Sequence, residues 1–572
     1  MSYDLHPHYA AELARLSELR RAFAATHGDA ALPDPADDRL LEAIAFLTAG
    51  VRARVDDAAA DLADALLERL APGSLRPFPA TTVVELAPNR QALRSIQRIP
   101  RGRALRARDV DGTRPRFRTT HDVDLTPLHV ADAALDLGAA PRLTLTLRAT
   151  DGGARALAGL DRLRLYLHHP DRELPATLLL WLTRYCAAIT LQRGDLPPHP
   201  LPPTALHLPA FDPAPRLLPW PATTPPGLAL LYEHLVAPDA ALFVDLVGLP
   251  ADEPGPLDLR LTFDFIEPRP GAPPPPRPPP PAALRPGLFR LHCAPAVNLF
   301  EVAAEPFVHS PLTGPRRLRP DGLRPDHTEL FDVLAAHRSD RAPLLAATDL
   351  DPDPVVARYA VLRRPGPDGA LDCDLHLTAP AGDLPREVTI SARLACTNRD
   401  LPRHLSVGDL ADDELGPLLR GYTNLTPVTP PLRPERGDLA PWRRLAHRLA
   451  AAAALGDVDG LRAFLHLHDL GAARAGEIAA RNARCRAAIR GVDRALRHRL
   501  DPAGLAPLPV LAVRITFDEP ALPSLAAAPL LGAALDRRYA DLAPLGCASE
   551  LTLALHPSGR ALTWPLRRAS DP

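Results

Sequence analysis

Two cysteines stand where a nucleophile would be sought: Cys293 directly follows His292, and Cys396 lies in LACTNRD at 394–400. A thiol attacks carbonyl carbon only as a thiolate, which requires a base or a cation beside it. Neighbours in sequence do not establish such a dyad in space. The other cysteines, at 186, 373, 485 and 547, form no C-x-x-C pair and lie too far apart for a small disulfide scaffold. All six therefore read as reduced, mostly buried thiols. Among the 21 histidines, the closest groups are His6 with His8, His168 with His169, and His466 with His468. None has a third ligand at a metal spacing and no H-E-x-x-H occurs, so they read as surface or strand residues and no metal or cofactor is expected. G-x-S-x-G, G-x-x-x-x-G-K-[ST] and G-x-G-x-x-G are all absent. The carboxylate pairs Asp37–Asp38 and Asp412–Asp413 read as cap and turn acids, and no glycosidase pair stands out. Aromatic residues at 5% offer little to stack single-stranded bases.

The elements that would position any such residues follow from composition and pattern. A length of 572 residues gives a prior of three or four domains at about 150 each. Acidic residues number 68 and basic ones 66, so no net field draws the chain to nucleic acid or anionic lipid. Every basic residue is Arg, best explained by a GC-rich coding bias, although Arg also suits interface ion pairs. With 70 Pro and 33 Gly, a mostly helical protein is excluded in favour of many short strands. The N-terminus lacks the basic flank and apolar core of a signal peptide. The best apolar run, 174–191, is broken by Arg184. A soluble, cytoplasmic chain is expected.

Residues 5–70 carry three amphipathic helical stretches. Tyr9, Leu13, Leu16, Leu19 and Phe23 recur at three- and four-residue steps; Leu40, Leu41, Ile44, Leu47, Val51 and Val55 do so after a Gly28–Pro33–Pro35 breaker, with Asp37 or Asp38 as cap; Leu62, Leu66, Leu67 and Leu70 make a third. The pattern then changes to period two at 81–88, 117–125, 142–149 and 162–169, with a helix at 175–189 and further strands at 205–211, 241–249 and 257–265. Eleven of the 19 positions in 268–286 are Pro, which reads as a stiff polyproline-II spacer. A second β-rich block follows to about 405, then helix over 440–500 interrupted at 456–460, and strands at 510–517 and 550–557. The fold class expected is α+β: an N-terminal helical bundle segment followed by β-rich wing domains with inserted helices. The divisions are 1–75, 76–267, the 268–286 linker, 287–435, and a C-terminal α/β region at 436–572.

Eight strings, in collinear order over about 500 residues, resemble the TssF (VasA or ImpG) baseplate family of bacterial type VI secretion systems. They include DRLLEAIAFLTAGVRARVDD at 38–57, RPFPATTVVEL at 76–86, IPRGRAL at 99–105 and FRTTHDVDLTPL at 117–128. YEHLVAPDAALFVDL at 232–246, APAVNLFEVAAEPF at 294–307, CTNRDLP at 396–402 and TPVTPPLRPERGDLAPWRRLAHRL at 426–449 continue the match. The chain departs from the family at His234-Leu235 and Ala237-Pro238, where aromatic residues are usual, and around 540–549.

The resemblance implies a structural subunit without catalysis or cofactor. It implies that two TssF copies embrace one TssG through a helical bundle. Such wedges would ring the VgrG spike, with TssK linking to the membrane complex and TssE starting the sheath. The chain would then sit in the cytoplasm at the inner face of the membrane, with no insertion of its own and no nucleic acid. On that basis Leu13, Leu16, Leu19, Phe23, Leu40, Ile44, Leu47 and Val51 are candidates for the bundle shared with TssG. The same residues would alternatively close an intramolecular core. Asn298, Leu299 and Phe300, and Thr397, Asn398, Arg399 and Asp400, are either contact loops or core and turn features, Asn398 and Asp400 suiting a local turn ended by Pro402. Two other readings remain open: a wedge of a related phage-tail-like contractile particle, and a cytosolic hydrolase, which would need a deep polar pocket at Cys293 or Cys396.

Overall fold

The computed structural model describes residues 6–27, 35–71, 73–89, 91–93, 95–138, 140–149, 159–212, 214–250, 258–266, 273, 275–310, 314–339, 342–346, 357–366, 369–378, 387–411, 416–434, 440–449, 455–474, 476–500 and 507–568. The fold is α+β. It divides into a helical unit, 1–74 with 435–449, and a β-rich unit, 75–434 with 450–572.

The helical unit has two long helices, α1 (His6–His27) and α2 (Pro35–Leu70), joined by the short helix Ala440–Leu449. The second and third stretches of the sequence reading are thus one helix. Between them stands DDAAAD, which contains neither Gly nor Pro and is rich in the best helix former, so nothing stops propagation. Its start is Pro35 at the first helical position, which places Asp37 and Asp38 inside the first turn instead of at the cap. The Ala440–Leu449 helix, expected within a C-terminal region, belongs with α1 and α2.

In the β-rich unit, Thr81–Pro88 and Arg142–Ala149 form strands over the residues expected from their alternation. Thr81–Pro88 pairs antiparallel with both Cys293–Val297 and Leu419–Asn424. Stretch 117–125 splits: Arg116–Thr119 pairs with Cys293–Val297, and Val123–Leu125 pairs with Gln97–Ile99 in a separate ribbon. Two further sheets are built around Cys186–Arg193, Leu259–Phe265 and Arg142–Ala149, and around Phe243–Val247 and Arg162–Leu167. Residues 300–397 form an eight-stranded sheet in which Glu329–Arg338 and Val388–Thr397 pair antiparallel along ten-residue strands.

Three expectations fail here. The helix expected at 175–189 runs Glu173–Leu180, continues as a π turn Trp181–Tyr185, and becomes a strand at Cys186, because Ile189 and Leu191 face the core while Thr190 alternates outward. The end of the helix expected over 440–500 is the strand Ile489–Leu500, fixed by an antiparallel ladder with Pro507–Asp518. The proline tract is not a spacer between domains, since both flanks lie in one unit. Pro276 and Pro279 are buried, three apart as the three-residue turn of polyproline II requires. Leu284 and Leu288 follow them into the main core; positions 267–272 and 274 lie outside the described residues.

One helix crossing depends on a missing side chain. The helix Pro226–Val236 packs so closely on Ala527–Leu542 that a Cβ at Gly227 would come within 2.4 Å of the Arg537 and Arg538 backbone. The second of these helices was not foreseen from sequence. It connects the parallel strands Pro507–Asp518 and Ala548–His556.

Candidate partner interface

On α2 the sequence segregates small and large apolar residues on opposite sides. Ala45, Ala49, Ala63 and Leu67 fall on one side at 3.6 residues per turn, and all four are completely buried. Leu40, Ile44, Leu47, Val51 and Leu62 fall on the other side, and all five are exposed. The small residues let another backbone come close, so the unit closes on alanines. On α1 the buried side chain among those described is Glu12, whose carboxylate accepts from Arg52 of α2 at 2.9 Å. Leu13 and Leu16 are half-buried. Leu19 and Phe23, the next steps of the same stripe, are exposed, Phe23 by 64%.

Six of the eight candidates, Leu19, Phe23, Leu40, Ile44, Leu47 and Val51, therefore stand in solvent, with Leu47 at 68% and Val51 at 64%. Covering such side chains is worth about 1.5–3 kcal/mol each. Exposed large apolar side chains repeated at helical spacing in this way are what a subunit interface uses.

The motif-loop candidates have the opposite placement. Asn298 is fully buried. Its backbone N–H donates to Ala80 O at 2.8 Å, and its Nδ2 donates to Arg116 O at 2.7 Å and to Asn398 Oδ1 at 2.9 Å. In return the Asn398 N–H donates to Asn298 Oδ1 at 2.7 Å, and the Arg116 N–H donates to Asn398 Oδ1 at 2.8 Å. Asn398 is thus a long-range clasp, not the local turn former expected; Thr397 Oγ1 takes the local bond, from the Arg399 N–H at 3.3 Å. Arg399 has φ +48°, and Pro402 lies within the following 3-10 turn, Leu401–His404, instead of ending it. Asp400 pairs with Arg403 and Arg433.

Arg433 also grips the buried Glu329, 2.7 Å away, while Glu329 accepts the Leu371 N–H at 2.8 Å. Leu299 packs with Phe78, Val297, Phe331, Ala395 and Leu432. Phe300 is half-buried, with the Arg116 guanidinium 5.0 Å from its ring. Residues of the strings at 76–86, 294–307, 396–402 and 426–449 thus meet, with Arg116 and Glu329, at one buried joint between sheets. Each unpartnered donor there would cost about 1–3 kcal/mol, so the joint is specified by its polar groups as well as its packing. Arg433 lay inside a quoted string; Glu329 and Arg116 carried no separate signal.

The thiols lack the surroundings of a nucleophile. Cys293 Sγ donates to Leu291 O at 3.3 Å, and burial pushes its pKa well up. His292 Nε2 faces Thr126, accepting its N–H at 3.1 Å, and burial lowers that imidazole to about 4. The cavity they line holds about 20 Å³, space for one water. The Cys396 thiol is completely buried and pushed up to about 12. Among the described residues no three of His, Cys, Asp and Glu come together as metal ligands. No described helix is long and apolar enough to cross a membrane, which leaves β-barrels aside. Asp412 and Asp413 lie outside the described residues.

The TssF component of Pseudomonas aeruginosa named "Type VI secretion system component TssF1" is 36% identical over 234 residues, and the match spans 38% of each chain. A chain of a solved type VI secretion system TssK–TssF–TssG baseplate subcomplex superposes with a TM-score of 0.77 at 25% identity, covering 94% of this protein and 99% of that chain. A chain of a type VI baseplate complex shares the fold at a TM-score of 0.61 and 22% identity, covering 99% of each. The profile described as "Type VI secretion system, TssF" matches residues 1–571. With the match running from the exposed helical stripe through the asparagine joint to the last strand, this chain belongs to the type VI secretion system TssF family.

Proposed function

We propose that this protein is a structural baseplate subunit of a type VI secretion system, joined to a TssG partner through the exposed side of α1 and α2. The observation that carries the proposal is the apolar face of Leu19, Phe23, Leu40, Ile44, Leu47 and Val51, left in solvent while the unit closes on alanines. Two copies of the chain would contribute that face to a bundle around one TssG. A TssK contact is supported by the solved TssK–TssF–TssG subcomplex. Contacts with TssE and with the VgrG spike, and a station at the cytoplasmic face of the inner membrane, are carried over from the family resemblance.

The part is mechanical: the β-rich unit supplies a rigid body, pinned by the asparagine and Arg433–Glu329 joint, and the helical unit supplies the adhesive surface. Catalysis has no place in the proposal, and the buried, protonated thiols of Cys293 and Cys396 offer no nucleophile for it. Co-expression with a TssG of the same secretion system, followed by native mass measurement, tests the reading. A two-to-one complex is expected; a folded monomer that ignores TssG would overturn it.

A further inference from the structure

The helical unit holds a cation that none of its described groups answers. Glu12 of α1 accepts from Arg52 of α2, and six residues of α1 precede Glu12, so α1 reaches only to about residue 58 of α2. Beyond that level Ala63 and Leu67 are completely buried, and the Ala440–Leu449 helix packs on α2. The buried side chains described on that helix are Leu445 and Arg444, the latter only 5% exposed. Leucine is ordinary at such a contact and arginine is not. Nε and Nη1 of Arg444 are shielded from solvent with no hydrogen-bond partner, and no carboxylate among the described residues pairs with the guanidinium. Asp64 and Glu68, on the same stretch of α2, engage other groups. A charge held out of water without a partner costs stability, and a second leucine would fill the position without that cost.

The guanidinium is within reach of an arriving chain. Successive helical residues turn by about 100°, which sets Trp442, Arg443 and Ala446 on the exposed arc and Leu445 on the buried one, with Arg444 at the margin beside the half-buried His447. Arg443, on the exposed side of that margin, also pairs with no carboxylate among the described residues. Two adjacent cations at one margin are complementary to an acidic side chain, and the planar fork of Arg444 matches a carboxylate through two parallel hydrogen bonds.

We infer that Arg444 is the residue by which the helical unit selects its partner: an Asp or Glu of TssG enters at this margin and accepts from the Arg444 guanidinium. The inference rests on the association with TssG proposed above and supplies the chemistry that separates one TssG from another. A TssG with an apolar or basic residue at that place leaves the covered cation unpaired and is rejected.

The test compares the full-length wild type, Arg444→Leu and Arg444→Lys for TssG affinity and for the thermal midpoint of the free chain. Arg444→Leu should weaken TssG binding at least ~10-fold, yet leave the free chain's midpoint unchanged or higher, because no internal partner is lost. Arg444→Lys, which keeps the charge without the fork, should fall between. Among single Asp or Glu to Lys changes in TssG, one should weaken binding to the wild type and add nothing to the loss in Arg444→Leu. The effect of those TssG changes on the wild type keeps the test valid if Arg444→Leu does not fold. Unchanged TssG affinity in Arg444→Leu, a lowered midpoint of its free chain, or TssG changes none of which weakens wild-type binding would overturn the inference. A wild-type chain that does not bind TssG at all would overturn the proposed function, and this inference with it.

Discussion

The helical and β-rich units bury opposite kinds of residue. In α2 the inside is Ala45, Ala49 and Ala63, and the branched residues Leu40, Ile44 and Val51 are outside; in the β-rich unit Leu143, Leu145 and Leu147 are inside and the intervening threonines are half-covered. The β-rich unit leaves large apolar residues exposed only at scattered positions such as Leu137, Val308 and Val407, whereas the helical unit leaves a stripe of them. A stripe at helical spacing shows that a face will be buried, without showing against what. Here Ala45, Ala49, Ala63 and Leu67 identify the internal contact, and the exposed Leu40, Ile44, Leu47 and Val51 are the ones proposed to meet another chain.

The sharpest way to break that contrast is Leu47→Asp with Val51→Asp. Losing two covered apolar side chains should weaken TssG association by ~3–6 kcal/mol, at least about 100-fold. The free chain's stability should move by less than ~0.5 kcal/mol, because both sites are exposed. Titration of TssG with a parallel thermal melt separates the two; loss of the fold itself would mean the stripe is internal after all.

Next in size is Gly227→Ala in the β-rich unit, where the added Cβ meets backbone at 2.4 Å. Helices must separate to admit it, at a cost of about 3 kcal/mol, read from the denaturant midpoint.

Acid should act on the β-rich unit too. His121 and His234 are buried and held down to about 3 by desolvation, from an ordinary value of 6.5. Between those values the unfolded chain takes up protons that the folded chain refuses, so stability is full above about pH 6.5 and falls as pH drops towards 3. At about pH 5.5 each such histidine should cost about 1.4 kcal/mol relative to neutral pH. His121→Gln should remove one share of that loss, seen by comparing denaturant midpoints at the two pH values.

The smallest effect returns to α2. A Cβ at Gly50 meets nothing within 4 Å, so Gly50→Ala should stabilise the helical unit by ~1 kcal/mol, the opposite sign to Gly227.

Much of the fold was legible because one face of each element is covered. Arg142–Ala149 alternates in sequence where it alternates in burial, whereas Thr81–Pro88 is buried on both faces over its first four residues and alternates only towards its end. Ile489–Leu500 was misread as helix because its outer half is exposed on both faces and shows no alternation; only the ladder to Pro507–Asp518 makes it a strand. The short helix Ala440–Leu449 packs with elements some four hundred residues earlier, which no local pattern records. At the joint, the strings containing Asn298 and Asn398 were recognisable, but their mutual hydrogen bonds across 100 residues were not. In α2 the stripe of large apolar residues draws the eye in the sequence, and the role of Ala45, Ala49 and Ala63 shows only in the burial of their side of the helix.

The central claim is that the exposed side of α1 and α2 is covered by TssG. Hydrogen exchange on the full chain, free and in complex with TssG, addresses it directly. Slower exchange concentrated in 16–23 and 40–51, with the β-rich sheets unchanged, is the expected result. Protection confined to the β-rich unit, with α1 and α2 exchanging as in the free chain, would contradict it.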